Sequence, residues 1–146
     1  IRRQRQMCIR DRFDIMLDIK NIKMDISDIE GIQLYGDIKW LAEALSNVVK
    51  NCIECTPDGG QVKISAEENA MYVKLCVIDS GTGIAKEDIP HLFERFYRGK
   101  NSGKNGAGIG LALAKTIITQ QNGMITAENI MPCGAKFTIF FYKGVA

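Results

Sequence analysis

MYVKLCVIDSGTGI, residues 71–84, alternates apolar and polar side chains as far as Asp79 and then breaks into two glycines. The alternation predicts a half-buried β-strand. At its end a carboxylate stands beside Gly81 and Gly83, residues that let backbone come close to a flat ligand. A carboxylate so placed can accept a hydrogen bond from an exocyclic amine such as adenine's. Taken alone, the same Asp-Ser-Gly-Thr-Gly run reads first as a capping turn, so its meaning depends on its surroundings.

Working upstream, QVKISAEE (61–68) alternates in the same way, and Asn69 and Ala70 between the two runs predict a hairpin. Before it, TPDGG (56–60) stops a helical pattern that opens after Asp37. In that pattern Ile38, Leu41, Leu45, Val48, Val49 and Cys52 recur at three- and four-residue steps and mark one apolar face. IKMDIS, from Ile22, predicts a further strand. Downstream, KEDIPHLFERFYRG (86–99) predicts a short helix or two with an aromatic cluster, and KNSGKNGAGIG (100–110) a polar loop. Leu111 to Gln121 resumes a helix, with Gly123 expected as the left-handed residue at its end. MITAEN (124–129) and AKFTIFFYK (135–143) predict two closing strands around an MPCG turn. Hairpins interleaved with helices imply an α+β sandwich, one mixed and mostly antiparallel sheet covered on one face by helices.

Composition sets the outer bounds. With 46% hydrophobic and 25% charged residues in 146, the chain suits one globular domain. The net charge of +2 is uneven: IRRQRQMCIRDR, residues 1–12, carries +4, and the remainder is −2. That balance leaves no basic footprint for nucleic acid outside the tail. The tail is expected to be foreign to the domain, or a disordered basic segment, with the domain itself occupying 13–146. No apolar run approaches the roughly 18 residues of a spanning helix, so the domain is expected to be soluble. Five cysteines without a secretory signal read as reduced thiols in the cytoplasm, and Cys52 and Cys55 as two helix positions rather than a zinc or redox pair.

Two further groups carry chemistry. Asn47 and Asn51 are four residues apart and share a helix face, with Glu43 and Glu54 near the same line. Amide oxygens there suit a hard cation such as Mg²⁺ held mainly by phosphates, although an ordinary solvated stripe looks the same. Gly106, Gly108 and Gly110 lead into the helix beginning near Leu111, a junction whose free N–H groups favour phosphate. The spacing is not that of a dinucleotide fingerprint, a polar loop rather than a strand precedes it, and no P-loop sequence exists in the chain.

In chain order the three groups resemble the N, G1 and G2 boxes of the catalytic ATP-binding domain of sensor histidine kinases, with IPHLFERFYRG (89–99) similar to the F box between G1 and G2. The resemblance covers about residues 20–143 and implies a Bergerat ATP-binding fold. It implies ATP and Mg²⁺ as cofactors. Asp79 would bind the adenine amine in a pocket shaped by Gly81, Gly83 and Ile84. Asn51 would hold Mg²⁺, with Asn47 near the phosphates. Gly106, Gly108, Gly110 and Leu111 would wrap the triphosphate, Arg98 and either Arg95 or Lys104 would supply positive charge, and Phe93 and Phe96 would anchor the lid. Asn47, Asn51 and Arg98 are thus the expected catalytic residues.

Where hydrolases of the superfamily carry a Glu as general base, this chain has Asn47, which cannot accept that proton, so transfer is expected over hydrolysis. Glu54 and Cys55 depart from the family's usual Lys and aromatic. The only histidine, His91, lies in the segment similar to the F box and is expected to be packed or solvated rather than to accept phosphate. The chain is therefore expected to be a fragment, its partners being a dimerisation domain bearing the acceptor histidine, in the same longer protein, and a response regulator. That longer protein is expected to be membrane-anchored with this domain cytoplasmic. The alternative is a degenerate nucleotide-binding module that regulates a partner without kinase activity.

Overall fold

A computed structural model describes residues 13–27, 38–95 and 110–142. Residues 13–20 are helical (α1), followed by β1 (Lys23–Ser27), α2 (Ile38–Cys55), β2 (Gln61–Glu68), β3 (Tyr72–Asp79), a single 3₁₀ turn at Ile89–His91, α3 (Gly110–Gln120), β4 (Gly123–Asn129) and β5 (Ala135–Tyr142). The five strands form one sheet in the order β1-β2-β3-β5-β4. β1 runs parallel to β2 and every other pairing is antiparallel. Returning the chain through α2 before β2 permits that one parallel pair, because parallel neighbours need a long crossover. The result is the expected mixed α+β sandwich.

Strand periodicity decides which side chains face the helices. Val62, Ile64 and Ala66 of β2, Val73, Leu75 and Val77 of β3, and Phe137, Ile139 and Phe141 of β5 are buried in one core. Against them lie Leu41, Ala44, Leu45, Val48, Val49, Cys52 and Ile53 of α2 and Leu111, Ala114, Ile117 and Ile118 of α3. Each large aliphatic side chain removed from water in this way contributes about 1.5–3 kcal/mol. The opposite sheet face keeps Tyr72, Phe140 and Tyr142 in contact with one another. Among the described residues no helix is long and apolar enough to cross a membrane.

The structure departs from the sequence expectations in three places. Residues 13–20 are a helix that the reading did not contain, although Phe13 and Leu17, one turn apart, are buried in the core. The left-handed residue after α3 is Asn122 (φ 64°), not Gly123, which is the first residue of β4. Asn tolerates that conformation because its short side chain bonds locally. Gly123 is instead required by crowding, since a Cβ there would lie 2.6 Å from the Phe140 carbonyl oxygen. The expected helix over 86–99 is only the 3₁₀ turn as far as residue 95, with Pro90 inside it. Pro90 stands in the first turn of that element, where an N–H would have no intrahelical partner, so it fixes the start of the turn and not its length.

Candidate functional site

β3 carries Asp79 to the edge of the helix layer, where the side chain is 3% exposed. Asp79 Oδ1 accepts hydrogen bonds from the backbone N–H of Gly81 (2.8 Å) and of Ala135 (3.3 Å). The Cys52 thiol, on the last turns of α2, hydrogen-bonds the same carboxylate. Burial raises the Asp79 pKa above its ordinary 3.8, and the bonds from Gly81, Ala135 and Cys52 oppose that rise only in part. An ionised carboxylate has about four acceptor sites, so capacity remains for another donor.

Both thiols beside Asp79 stay protonated. Burial, then the charge of Asp79, pushes the Cys52 thiol well up. Burial, then Asp79 and Glu54, pushes Cys55 up to about 11 against the opposing charge of Lys20. Cys52, Cys55, Cys76 and Cys133 are free cysteines, and no cluster of His, Cys, Asp or Glu suited to a metal occurs among the described residues. Both positions of the C-x-x-C lie in α2.

The loop after Asp79 is pinned on both sides. Ser80 N donates to Gln61 O at 3.0 Å and Ser80 Oγ accepts from Gln61 N at 2.9 Å, tying the loop to β2. A Cβ at Gly81 would run into the carbonyl oxygen of Cys55, so only glycine lets the loop lie on the end of α2. Gly83 has φ 84°, and its missing Cβ would lie 2.9 Å from Asn129 Oδ1. Ile84 is half-buried against the core. The end of α2 is itself held from outside: Lys20 Nζ, on α1, donates to the carbonyls of Ile53 (2.8 Å) and Glu54 (3.2 Å). Thr56 Oγ1 donates to Cys52 O at 2.6 Å.

The second half of the site lies where α2 meets α3. Asn47 Nδ2 is buried and has no hydrogen-bond partner. A Cβ on Gly110, the first residue of α3, would stand 3.9 Å from Asn47 Cβ, Cγ and Oδ1. The first turn of α3 contains no acidic side chain to compete for its positive end. Leu111 is buried behind it, and Asn51, one turn after Asn47, is half-buried. An orphaned amide donor beside the positive end of a helix fits an anion.

The structure thus brings Asn47 to Gly110, and Asp79 to Gly81, Cys52 and Cys55. Phe93 packs on Phe137 with ring centroids 6.5 Å apart, and Lys115 Nζ lies 5.9 Å from the Phe93 centroid. His91 is exposed and pairs with Glu94 at 2.6 Å, as a solvated residue does. Arg98, Gly106, Gly108, Phe96 and Lys104 lie outside the described residues. Lys20, Cys52 and Asn129 touch the site without having been read as part of it. Their partners are 33, 27 and 45 residues away, distances at which no local pattern speaks.

Residues 36–144 match the family of histidine kinase-, DNA gyrase B- and HSP90-like ATPases. The chain belongs to that family. The heme sensor protein HssS of Staphylococcus saprophyticus is 35% identical over 118 residues, 81% of this chain and 25% of that protein. The signal transduction histidine-protein kinase BaeS of Escherichia coli is 32% identical over 123 residues, 82% of this chain and 26% of that protein. The chain therefore spans about a quarter of the length of these curated relatives. The catalytic domain of histidine kinase ThkA superposes with a TM-score of 0.84 at 27% identity, covering 97% of this chain and 93% of that one. ThkA in complex with the response regulator protein TrrA gives a TM-score of 0.80 at 25% identity, covering 97% of this chain and 40% of that one. The ATPase-family domain is thus an ATP-binding domain of the histidine kinase type.

Proposed function

We propose that this domain binds Mg·ATP between Asp79 and the start of α3 and delivers the γ-phosphoryl group to a histidine on another domain. The observation that carries this reading is the buried Asn47 amide nitrogen, which lacks a partner and stands against Gly110. Leaving such a donor unpaired costs about 1–3 kcal/mol, a cost removed when a phosphate oxygen accepts from it. Asp79 fits the other end of the same ligand, accepting from the adenine amine while Gly81, Gly83 and Ile84 shape the pocket around the base. Asn51 is the residue that would hold Mg²⁺, whose role is to neutralise charge on the phosphates.

In the transfer, a nitrogen of the acceptor histidine bonds to the γ-phosphorus as the bond to the β,γ-bridging oxygen breaks, and ADP leaves. Asn47 has no basic site from which to activate water, which favours the histidine over hydrolysis. Arg98 and the glycines Gly106 and Gly108 complete the reading as lid residues that close on the triphosphate. BaeS and ThkA are histidine kinases, which supports this reading over a degenerate regulatory module. A longer protein, membrane-anchored with this domain on its cytoplasmic side, would supply the dimerisation domain. A response regulator would take the phosphoryl group onward, as the ThkA–TrrA complex suggests by analogy. Residues 13–146 form the domain on this reading, with Phe13 already in its core, and residues 1–12 lie outside it.

Mixing the domain with Mg²⁺, ATP labelled at the γ-position and a dimerisation domain bearing the acceptor histidine is expected to yield acid-labile, base-stable label on the acceptor. Absence of ATP binding by the domain would overturn the reading.

A further inference from the structure

Asn129 is the last residue of β4, opposite Ala135 of β5. Ala135 in turn donates to Asp79, so the strand end stands next to the pocket floor. From there its side-chain amide makes both hydrogen bonds that one backbone residue can make. Oδ1 accepts from Ile84 N at 2.6 Å and Nδ2 donates to Ile84 O at 2.8 Å. A carboxamide carries a donor and an acceptor in one plane, so it can satisfy both groups of Ile84 at once. An ionised carboxylate offers acceptors only, and a hydroxyl has one oxygen for both tasks.

The glycine of the loop is explained by the same contact. A Cβ at Gly83 would come within 2.9 Å of Asn129 Oδ1, so the loop reaches the amide only because residue 83 has no side chain and adopts φ 84°. Ser80 fixes the beginning of the loop to β2, and Asn129 fixes its end to β4. Between these anchors lie the residues expected to line the base pocket.

We propose that Asn129 is a positioning residue of the nucleotide site, holding Ile84 and Gly83 in the conformation that receives the adenine ring. The inference rests on the nucleotide-binding reading and adds to it a residue that touches no ligand. Without the amide, the loop from Gly81 to Ile84 keeps the ties at its start but none from Asn129 at its end, which must then be ordered by the ligand itself, so base binding weakens. Phosphate binding at Asn47 and the start of α3 does not pass through this loop and stays as it was.

The test compares the chain with its Asn129→Ala, Asn129→Asp and Asp79→Asn forms, using a fluorescent ATP analogue and competition by ADP and by inorganic tripolyphosphate. Asn129→Ala is expected to weaken ATP and ADP by the same factor, about tenfold for two lost hydrogen bonds, with tripolyphosphate affinity unchanged. Asn129→Asp keeps an acceptor for Ile84 N and loses the donor, so it is expected to fall between Asn129→Ala and the parent. Nuclear magnetic resonance is expected to show faster amide exchange at Ile84 in Asn129→Ala, and a smaller change in Asn129→Asp, which keeps the acceptor for that N–H. An Asn129→Ala chain that binds ATP like the parent, while Asp79→Asn does not, overturns this inference and leaves the nucleotide reading standing. Equal weakening of ATP and tripolyphosphate overturns it too, because that is the signature of a purely structural role. A parent that binds no ATP removes both.

Discussion

Replacing Asp79 by Asn separates ligand recognition from folding. In the parent, Oδ1 is committed to Gly81 N and Ala135 N at the floor of the pocket. An asparagine keeps an oxygen for those two donors, and satisfying them fixes its orientation. Its NH₂ group then occupies the position left for the ligand, so the adenine amine meets a donor instead of an acceptor. A hydrogen bond to a charged group contributes about 1.5–3 kcal/mol, and 1.4 kcal/mol is about tenfold in affinity, so ATP binding is expected to fall by about 10- to 150-fold. The fold is expected to survive. Burial raises the Asp79 carboxyl above 3.8, so the folded chain retains this proton at pH values where the unfolded chain has released it. Asp79 therefore lowers stability increasingly as pH rises through and beyond 3.8. The neutral amide does not titrate, so the stability of Asp79→Asn relative to the parent is expected to rise with pH across that window. Fluorescence titration with an ATP analogue measures the first effect, and thermal unfolding of both chains over a pH series measures the second. Unchanged ATP affinity in a folded Asp79→Asn chain would refute the assignment of the adenine contact. A relative stability that falls with rising pH would refute the account of the carboxyl's environment.

Asn51→Ala is expected to abolish the enhancement of ATP binding by Mg²⁺ while shifting the melting temperature little, because the side chain is half-buried at the rim of α2; titrations with and without the metal decide it, and an unchanged magnesium response would move the role to another residue. Lys20→Met removes the only ammonium bonded to the Ile53 and Glu54 carbonyls among the described residues, at a helix end whose own last turn has no basic residue. The expected cost is about 1–2 kcal/mol, or about 5 °C in melting temperature by thermal denaturation. A melting temperature unchanged by Lys20→Met would mean that water replaces the ammonium without penalty.

How far the sequence reaches depends on the range of the interaction. The bounds of α2 and the strands of the β2–β3 hairpin were legible because a repeating apolar period states which face is buried, whatever that face packs against. Leu41, Leu45, Val48, Val49 and Cys52 needed no partner to be named before they could be assigned inward, and all are buried. Asp79 and its glycines were legible for a related reason, since the end of an alternating run and the residues that break it are local features. The eight described residues of α1 carry Phe13 and Leu17 as buried positions and Met16 as a partly buried one, with Ile15 and Ile19 each 75% exposed, too mixed a pattern to stand out. Gly123 drew the left-handed turn by its type, yet the conformation belongs to Asn122, and the glycine answers instead to the Phe140 carbonyl and the Ile118 side chain, which crowd it from outside its own strand. The tertiary structure alone decided which long-range groups meet at the site. Lys20 reaches the end of α2, the Cys52 thiol bonds Asp79, Asn47 is left without a partner beside Gly110, and Asn129 holds Ile84. Periodicity fixes the direction in which a side chain points, but a hydrogen bond needs two groups within about 3 Å. Separations that small between distant segments are set by how the sheet and the described helices pack.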